Sequence, residues 1–200
     1  KIRLESERLA KSVGGSLQDD EAIIDQVTNL VEYPTPLLGT IKDQYLELPD
    51  EVVITPMKDH LRYFPVVDSK NRLMNHFITV RNGDDKYLDI VRKGNEKVLA
   101  ARLEDAKFFF NEDRKKDLEE YVNDLKTIVF QDKLGTLYDK TLRNIKLSEK
   151  ICDDLNVGDE TLETTKRAAY LSKADLATKL VVEFTELQGV MGKIYANLSG

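Results

Sequence analysis

The first thirty residues carry apolar side chains every three or four positions, which is the spacing of helices that bury one face. The pair Gly14-Gly15 interrupts this pattern, so we predict two helices. Asp19 or Asp20 is expected to cap the second helix, because a carboxylate at that position accepts a hydrogen bond from a free backbone N–H. The apolar stripe of the second helix consists of Ala22, Ile23, Val27, Leu30 and Val31.

The next pattern is typical of a short strand followed by an interrupted helix. Pro34 and Pro36 in "PTPLLGT" stop the second helix, because proline cannot continue the hydrogen-bond ladder. Leu37 to Ile41 is then predicted as a short strand. The stretch "LPDEVVITPMKDHLRYF" predicts a helix or a broken helix, in which Thr55 caps the second segment.

A β-hairpin is the clearest strand signal in the chain. Two runs rich in β-branched and aromatic residues, Tyr63 to Val67 and Leu73 to Val80, flank the polar turn "DSKNR". Pro65 indicates that the first strand lies at a sheet edge, or that its backbone needs no donor at this position. We therefore predict a hairpin near residues 63–80.

After Gly83 the pattern becomes helical. A long helix is predicted near residues 84–115, split or kinked at Gly94-Asn95. From about Gln131 onward only helices are predicted. These are Gly135 to Leu155, Asp159 to Leu171, and a last helical stretch with a break near Thr185 to Gly189.

The expected fold class is therefore α+β and predominantly helical. Residues 1–130 are predicted to form an α+β module with helices, short strands, the hairpin and the long helix, and residues 131–200 a helical domain that is truncated. Two hundred residues with 41% hydrophobic and 33% charged content suit one sizeable core or two modest ones. Because the chain opens at Lys1 inside an amphipathic pattern, we expect it to be a piece of a longer protein.

Composition limits the cellular compartments and the classes of partner that we expect for this chain. No apolar run approaches the roughly 18 to 20 residues that a membrane helix needs, so no membrane contact is expected. A single cysteine, Cys152, cannot form an internal disulfide, and we expect a buried structural thiol in a reducing cytoplasm. The net charge of −6 argues against a protein that coats nucleic acid, although a local basic face is compatible with it.

Short catalytic motifs are missing from the sequence. There is no GxGxxG, GxxxxGK[ST], HExxH, CxxC pair or GxSxG. The two histidines, His60 and His76, are separated by a predicted turn and strand, and we interpret them as hydrogen-bonding or surface residues and not as metal ligands. Glu112-Asp113 is predicted to be a solvated, ion-paired helix face.

Several longer motifs resemble those of one family. They occur in the order "VEYPTPLLGT", "LELPDEVVITPMKDHLRYFPV", "FITVRNGD", "GNEKVLAARLEDAKFFFNED", "LKTIVFQDKLGTLYDK" and "KADLATKLVVEFTELQGVMGKIYA". Together they resemble the β subunit of bacterial heterotetrameric glycyl-tRNA synthetase, from about Thr28 to Ala196. Long motifs in a fixed order are far more specific than any short signature.

The resemblance implies a division of labour. In that family the α subunit holds the catalytic core that activates glycine with ATP, and the β subunit handles tRNA within an α2β2 heterotetramer. It therefore implies that this chain has no catalytic residue, metal or cofactor of its own, and that its partners are the α subunit and tRNA(Gly). Phosphate and 2′-hydroxyl contacts would come from polar side chains before and on the long helix. The tRNA-binding candidates are Lys58, His60, Arg62, Arg81, Asn82, Arg92, Lys93, Asn95, Lys97 and Arg102.

The family also carries a helical region similar to HD phosphohydrolases, and residues 131–200 resemble its first part. Active hydrolases of that type hold a metal with histidines and an adjacent His-Asp pair, whereas the matching place here reads Lys173-Ala174-Asp175. A protonated lysine cannot ligate a metal. We therefore interpret Lys173 to Asp175 as a degenerate metal site. Asp175 is instead expected to form a charge ladder with Lys179 and Glu183 along one helix face.

Two alternatives to a tRNA-handling segment remain at this stage. One is a metal-dependent phosphohydrolase of the HD type, against which the missing histidines count. The other is a structural scaffold whose exposed aromatic residues bind the α subunit.

Overall fold

The computed structural model describes residues 1–18 and 20–199. The chain divides into two compact units, Lys1–Phe108 and Phe109–Gly200, and the division falls within one helix. The domain boundary predicted after residue 130 stays a prediction. The helices of the described residues are α1 Ile2–Ser12, α2 Glu21–Leu30, α3 Asp50–Thr55, α4 Leu88–Asp113, α5 Leu118–Asp124, α6 Leu137–Asp154, α7 Asp159–Leu171, α8 Lys179–Glu183 and α9 Val190–Ser199.

The strands form two antiparallel sheets. The first sheet has the order β1-β3-β4-β2, and the second pairs β5 with β6. The strands are β1 Ser16–Leu17, β2 Pro34–Thr40, β3 Phe64–Val67, β4 Leu73–Asn82, β5 Val129–Gln131 and β6 Gly135–Thr136. The predicted α+β class with predominant helix is thus confirmed, as is the hairpin near residues 63–80, which is β3 and β4.

In the first unit, helices α1 and α2 cover one face of the four-stranded sheet. Ile2, Ala10, Ile23 and Val27 of these helices form a buried cluster with side chains from the sheet, Phe64, Val66 and Ile78. Asp20 is the N-cap of α2 and its side chain accepts from the Ile23 N–H, whereas Asp19 lies outside the described residues. The helices predicted on either side of Gly14-Gly15 are therefore confirmed.

The opposite face of the sheet carries a second apolar layer. Phe77 lies beside Ile78 in β4 and faces the other way, because successive strand residues alternate between faces. Its ring stacks on Tyr63 at 4.9 Å between centroids and an interplanar angle of 10°. Gly39 lies opposite Phe77 in β2, and a Cβ there would come 2.3 Å from the ring. Glycine is thus required at this close approach.

Strand β2 begins three residues before the predicted start, and it contains the two prolines that were expected only to stop a helix. The strand lies at the edge of its sheet. The Thr40 N–H donates outward to Glu96 Oε1 at 3.0 Å, whereas the Ile41 N–H donates inward to Asn75. By alternation, positions 34 and 36 also face outward, so Pro34 and Pro36 remove no ladder bond.

Three further expectations are wrong in whole or in part. Strand β3 is internal, so the edge alternative for Pro65 is wrong; a register irregularity falls between Pro65 and Val67, and the other alternative, a position that needs no backbone donor, stands. Thr55 makes no side-chain cap, because α3 continues directly into a π-helical turn, Pro56–His60. Helix α4 runs unbroken through Gly94, so the split does not occur, and a kink there stays a prediction.

The second unit is mainly helical. Its buried side chains come from α5, α8 and α9 and from the 3₁₀ turns next to them, and they include Val122, Leu125, Ala174, Leu180, Leu187 and Met191. Helix α7 has the predicted bounds, and the break near Thr185 to Gly189 is confirmed. The helices-only prediction is wrong at β6, which pairs with β5 and places the start of α6 at Leu137 with Thr136 as its N-cap. Cys152 is buried, as predicted.

Candidate nucleic-acid interface

The first group of candidate residues lies on the π-helical turn. Lys58 forms an ion pair with Asp20, the N-cap of α2. Burial works to raise the pKa of Asp20, but the hydrogen bond with Lys58 and those from the Ile23 and Ala22 N–H groups outweigh it and hold the pKa below its usual range. A shallow cleft beside this pair is lined by Asp20, Ala22, Ile23, Gln26, Lys58, Asp59 and Arg62.

Arg62 ends the same turn in an uncommon backbone conformation. Its φ of 59° lies in the left-handed region, which non-glycine residues rarely adopt. The guanidinium donates back to the carbonyl oxygen of Asp59. His60 lies between them and is half-buried. The turn therefore holds Lys58 and Arg62 against neighbouring protein groups, with part of each side chain exposed.

The second group lies at the end of β4. The side-chain oxygen of Asn82 accepts from the Glu32 N–H at 3.2 Å and the Tyr33 N–H at 2.9 Å, which fastens the chain after α2 to the sheet. The Arg81 guanidinium is 3.5 Å from Asp84 and also donates to the Lys86 carbonyl. Arg81 and Asn82 thus organise two loops that meet at Gly83, whose N–H donates to the Tyr33 carbonyl.

The third group lies on α4, and its members differ in exposure. Lys93 and Lys97 are exposed and one helical turn apart, so they share a face. Arg92 pairs with Asp89 at 2.9 Å. Asn95 accepts from the buried Tyr63 hydroxyl at 2.8 Å, and Arg102 is half-buried. Lys93 and Lys97 are therefore available to a ligand, whereas Asn95 is engaged within the protein.

Asp175 is a buried structural group. It is 1% exposed, and its Oδ2 accepts from the Gly189 N–H at 2.5 Å and the Gly192 N–H at 3.1 Å, at the start of α9. The predicted ladder of Asp175, Lys179 and Glu183 is wrong, because residues 174–177 form a 3₁₀ turn that ends before α8 begins. Lys179 instead lies 3.4 Å from Glu112. Lys173 immediately precedes the turn and is half-buried.

Asp113 is a second buried carboxylate, and the sequence interpretation of Glu112-Asp113 as a solvated face is wrong for it. Asp113 is 1% exposed and accepts from the N–H groups of Lys179 and Leu180, each at 2.9 Å. The Tyr195 hydroxyl donates to Oδ2 at 3.1 Å. Burial, followed by the Asp113 charge and hydrogen bond, raises the pKa of Tyr195. The local sequence does not distinguish Asp113 from the exposed carboxylates near it, because the groups that bury and bond it come from distant parts of the chain.

Within residues 1–18 and 20–199, no group of three or more His, Cys, Asp or Glu side chains is arranged to hold a metal ion. Among the helices of those residues, none has the length and apolar character needed to cross a membrane.

Comparison with known proteins places the chain in a family. A family model described as "Glycyl-tRNA synthetase beta subunit" matches residues 1–200. The chain belongs to this family. It is 56% identical over 199 residues to the glycine–tRNA ligase beta subunit of Clostridioides difficile (strain 630), which covers 100% of this chain and 29% of that protein.

Two further members of the glycyl-tRNA synthetase beta subunit family match the chain over a similar range. The Bacillus subtilis (strain 168) beta subunit is 46% identical over 199 residues, again covering 100% of this chain and 29% of the relative. The Desulforamulus reducens beta subunit is 47% identical over 194 residues, covering 97% of this chain and 28% of the relative. The chain thus spans less than a third of the length of these curated relatives.

Proposed function

We propose that this chain serves glycyl-tRNA formation as a non-catalytic segment of a glycine–tRNA ligase beta subunit. It contributes tRNA binding and assembly with the α subunit in an α2β2 enzyme, and the α subunit uses the ATP. The observation that carries this proposal is the family match along the whole chain. The candidate tRNA(Gly) contacts are the lysine and arginine side chains of the first unit.

The buried carboxylates support a non-catalytic role. Both Asp113 and Asp175 accept backbone N–H groups at the starts of helices, in sites that are 1% exposed. A carboxylate committed to such bonds and shielded from water is poorly placed to activate a water molecule. Asp175, which the resemblance suggested as the remains of a metal site, is thus bonded to the start of α9 within the helical unit.

Lys93 and Lys97 give the sharpest test of RNA contact, because both are exposed and follow one face of α4. We expect Lys93→Glu/Lys97→Glu to weaken tRNA(Gly) binding by the complete α–β enzyme. The slope of log affinity against log salt concentration should fall by about 0.7 to 0.9 for each phosphate that the variant no longer neutralises. The matched control is Lys146→Glu/Lys150→Glu, an exposed pair with the same spacing on α6. Equal affinities and salt slopes for both variants and the unmodified enzyme would overturn the assignment.

Assembly is tested separately by sedimentation of the same variants with the α subunit. We expect the Lys93/Lys97 variant to keep its association with the α subunit, because the two lysines are proposed to contact RNA and not that subunit. An enzyme that loses the α subunit together with tRNA affinity would show that this face serves assembly.

A further inference from the structure

Two tyrosine rings stand exposed at the place where Arg81 and Asn82 organise the loops of the first unit. Tyr33 is 59% exposed and Tyr87 is 75% exposed. Single exposed apolar side chains are common on protein surfaces, so exposure alone assigns no role to the two rings, and their role is inferred from the groups around them.

The backbone of Tyr33 is fixed from both sides. Its N–H donates to Asn82 Oδ1 at 2.9 Å, and its carbonyl accepts from the Gly83 N–H at 2.8 Å. The Lys1 ammonium lies 5.1 Å from the centre of the ring, within the range of a cation–π interaction. The ring is therefore presented on a rigid segment next to a positive charge.

Tyr87 is fixed at the beginning of α4. Its carbonyl accepts from the Ile90 N–H at 3.0 Å and the Val91 N–H at 3.2 Å. Its φ of 58° is uncommon for a bulky residue, and such conformations persist where the surrounding structure imposes them, often at functional sites. The Arg81 guanidinium holds the preceding residue through the Lys86 carbonyl. The same two residues, Arg81 and Asn82, thus position both aromatic segments.

Both cations and carboxylates lie in the segment that leads to Tyr87. Lys86 lies 3.7 Å and the half-buried Arg81 3.5 Å from Asp84, and ion pairs of this kind near the surface contribute little to stability. Phosphate groups can compete for such cations. Lys93 lies six residues after Tyr87 in sequence, on α4, and is exposed. Aromatic rings next to cations are the arrangement with which proteins bind single-stranded nucleic acid, where bases stack on the rings and phosphates meet the cations.

We infer that Tyr33 and Tyr87 stack on unpaired bases of the bound RNA. This inference rests on the proposed function and adds a mode of recognition to it: cations hold phosphates, and the two rings select nucleotides that lie outside a duplex. The rings accept any base, because every base offers a flat face. The exposed Leu30 and Ile90, which lie close to Tyr33 and Tyr87 in sequence, would also suit an apolar protein surface, so the test separates the two partners.

The test uses the complete α–β enzyme with Tyr33→Leu/Tyr87→Leu and with Tyr33→Phe/Tyr87→Phe. Leucine keeps the apolar volume and loses the aromatic face, whereas phenylalanine keeps the face. We expect the leucine variant to bind tRNA(Gly) more weakly, on the order of five- to a hundredfold for each ring that stacks, and the phenylalanine variant to bind normally. Binding to a fully paired RNA duplex of equal length, and the salt slope, should stay unchanged in both. Phe130→Leu removes another exposed ring beside a cation, in the second unit, with Lys140 3.8 Å from its centre; unchanged tRNA affinity in this variant assigns the loss to Tyr33 and Tyr87 and not to exposed rings in general.

Three results would overturn the inference. The first is unchanged tRNA affinity in the leucine variant. The second is an equal loss for tRNA and duplex, and the third is loss of the α subunit with RNA affinity retained. If the Lys93/Lys97 variant loses affinity while the leucine variant does not, the proposed function stands and only base stacking fails.

Discussion

The Tyr195 hydroxyl and the Asp113 carboxylate form a buried hydrogen bond of 3.1 Å that joins α9 to the end of α4 within the second unit. The same carboxylate accepts two N–H groups of α8, and the Tyr121 hydroxyl donates to the Asp113 carbonyl at 3.1 Å. One residue thus connects α4, α5, α8 and α9.

Asp113→Ala should lower the free energy of unfolding by about 3 kcal/mol, because it leaves two helix N–H groups and a tyrosine hydroxyl buried without an acceptor. Urea denaturation followed by circular dichroism measures the loss, and amide hydrogen exchange at Leu180 should accelerate. Asp153→Ala on the exposed side of α6 is the control and should change stability by less than about 0.5 kcal/mol. A comparable loss in both variants would contradict the central role of Asp113.

Gly192 and Gly94 should respond oppositely to alanine, although both lie within helices. A Cβ at Gly192 would come 3.2 Å from Cγ and Oδ2 of Asp175, which two N–H bonds hold in place, whereas nothing lies within 4 Å of one at Gly94. We expect Gly192→Ala to cost about 1–3 kcal/mol. Gly94→Ala should add about 0.5–1 kcal/mol through helix propensity. Thermal and urea unfolding of both variants test the signs, and a stabilised Gly192→Ala would show that Asp175 can move aside.

Asn95 should matter for stability and not for RNA. Asn95→Ala removes the acceptor of the buried Tyr63 hydroxyl and should cost about 1–2 kcal/mol. Tyr63→Phe combined with Asn95→Ala should recover part of that loss, since no hydroxyl is then left unpaired. A double-mutant cycle by urea denaturation measures the coupling. Reduced tRNA affinity in a folded Asn95→Ala enzyme would show that Asn95 does contact RNA.

Alkaline pH should destabilise the protein through its buried tyrosines. Burial, followed by the hydrogen bond to Glu104, raises the pKa of Tyr45 to about 12, against about 10 in an unfolded chain. Below pH 10 both states keep the proton, so this contribution is fully present. Between pH 10 and 12 the unfolded state loses its proton first, and stability falls by about 1.4 kcal/mol per pH unit for this group.

The control for this pH dependence is Tyr45→Phe. It should be less stable than the unmodified chain at pH 7 by about 1 kcal/mol, because the 2.6 Å bond to Glu104 is lost. The difference should shrink or reverse by pH 11.5, since phenylalanine does not titrate. Parallel stability curves from pH 8 to pH 11.5 would refute the assignment.

Local pattern was sufficient for much of the fold. The hairpin of β3 and β4 follows from β-branched runs on either side of a polar turn, and α7 follows from helical spacing between turn signals. Errors arose where tertiary contacts override local preference. Gly94 does not break α4, whose neighbouring Asn95 is bonded to Tyr63, and Pro34 is tolerated in β2 because its edge needs no donor there.

The buried carboxylates were harder to predict from the sequence than the helices and strands. Asp175 meets donors that lie 14 and 17 residues away in sequence, and Asp113 meets donors 66 and 67 residues away. No periodicity in the sequence encodes these separations. Exposed cations such as Lys93 and Lys97 could be proposed from sequence, because solvated charge is a local property. Their contact with RNA stays a prediction.

The outer edge of β2 also affects how readily newly synthesised chains aggregate. A free strand edge offers a row of N–H and C=O groups on which a second, partly folded copy can add its own strand. Here Pro34 and Pro36 supply no donor on that side, and Glu96 occupies the Thr40 N–H. The two prolines reduce the template for aggregation along this edge even while the helices around the sheet are still unformed, because proline lacks its donor in every conformation, whereas the Glu96 bond requires α4 to be in place.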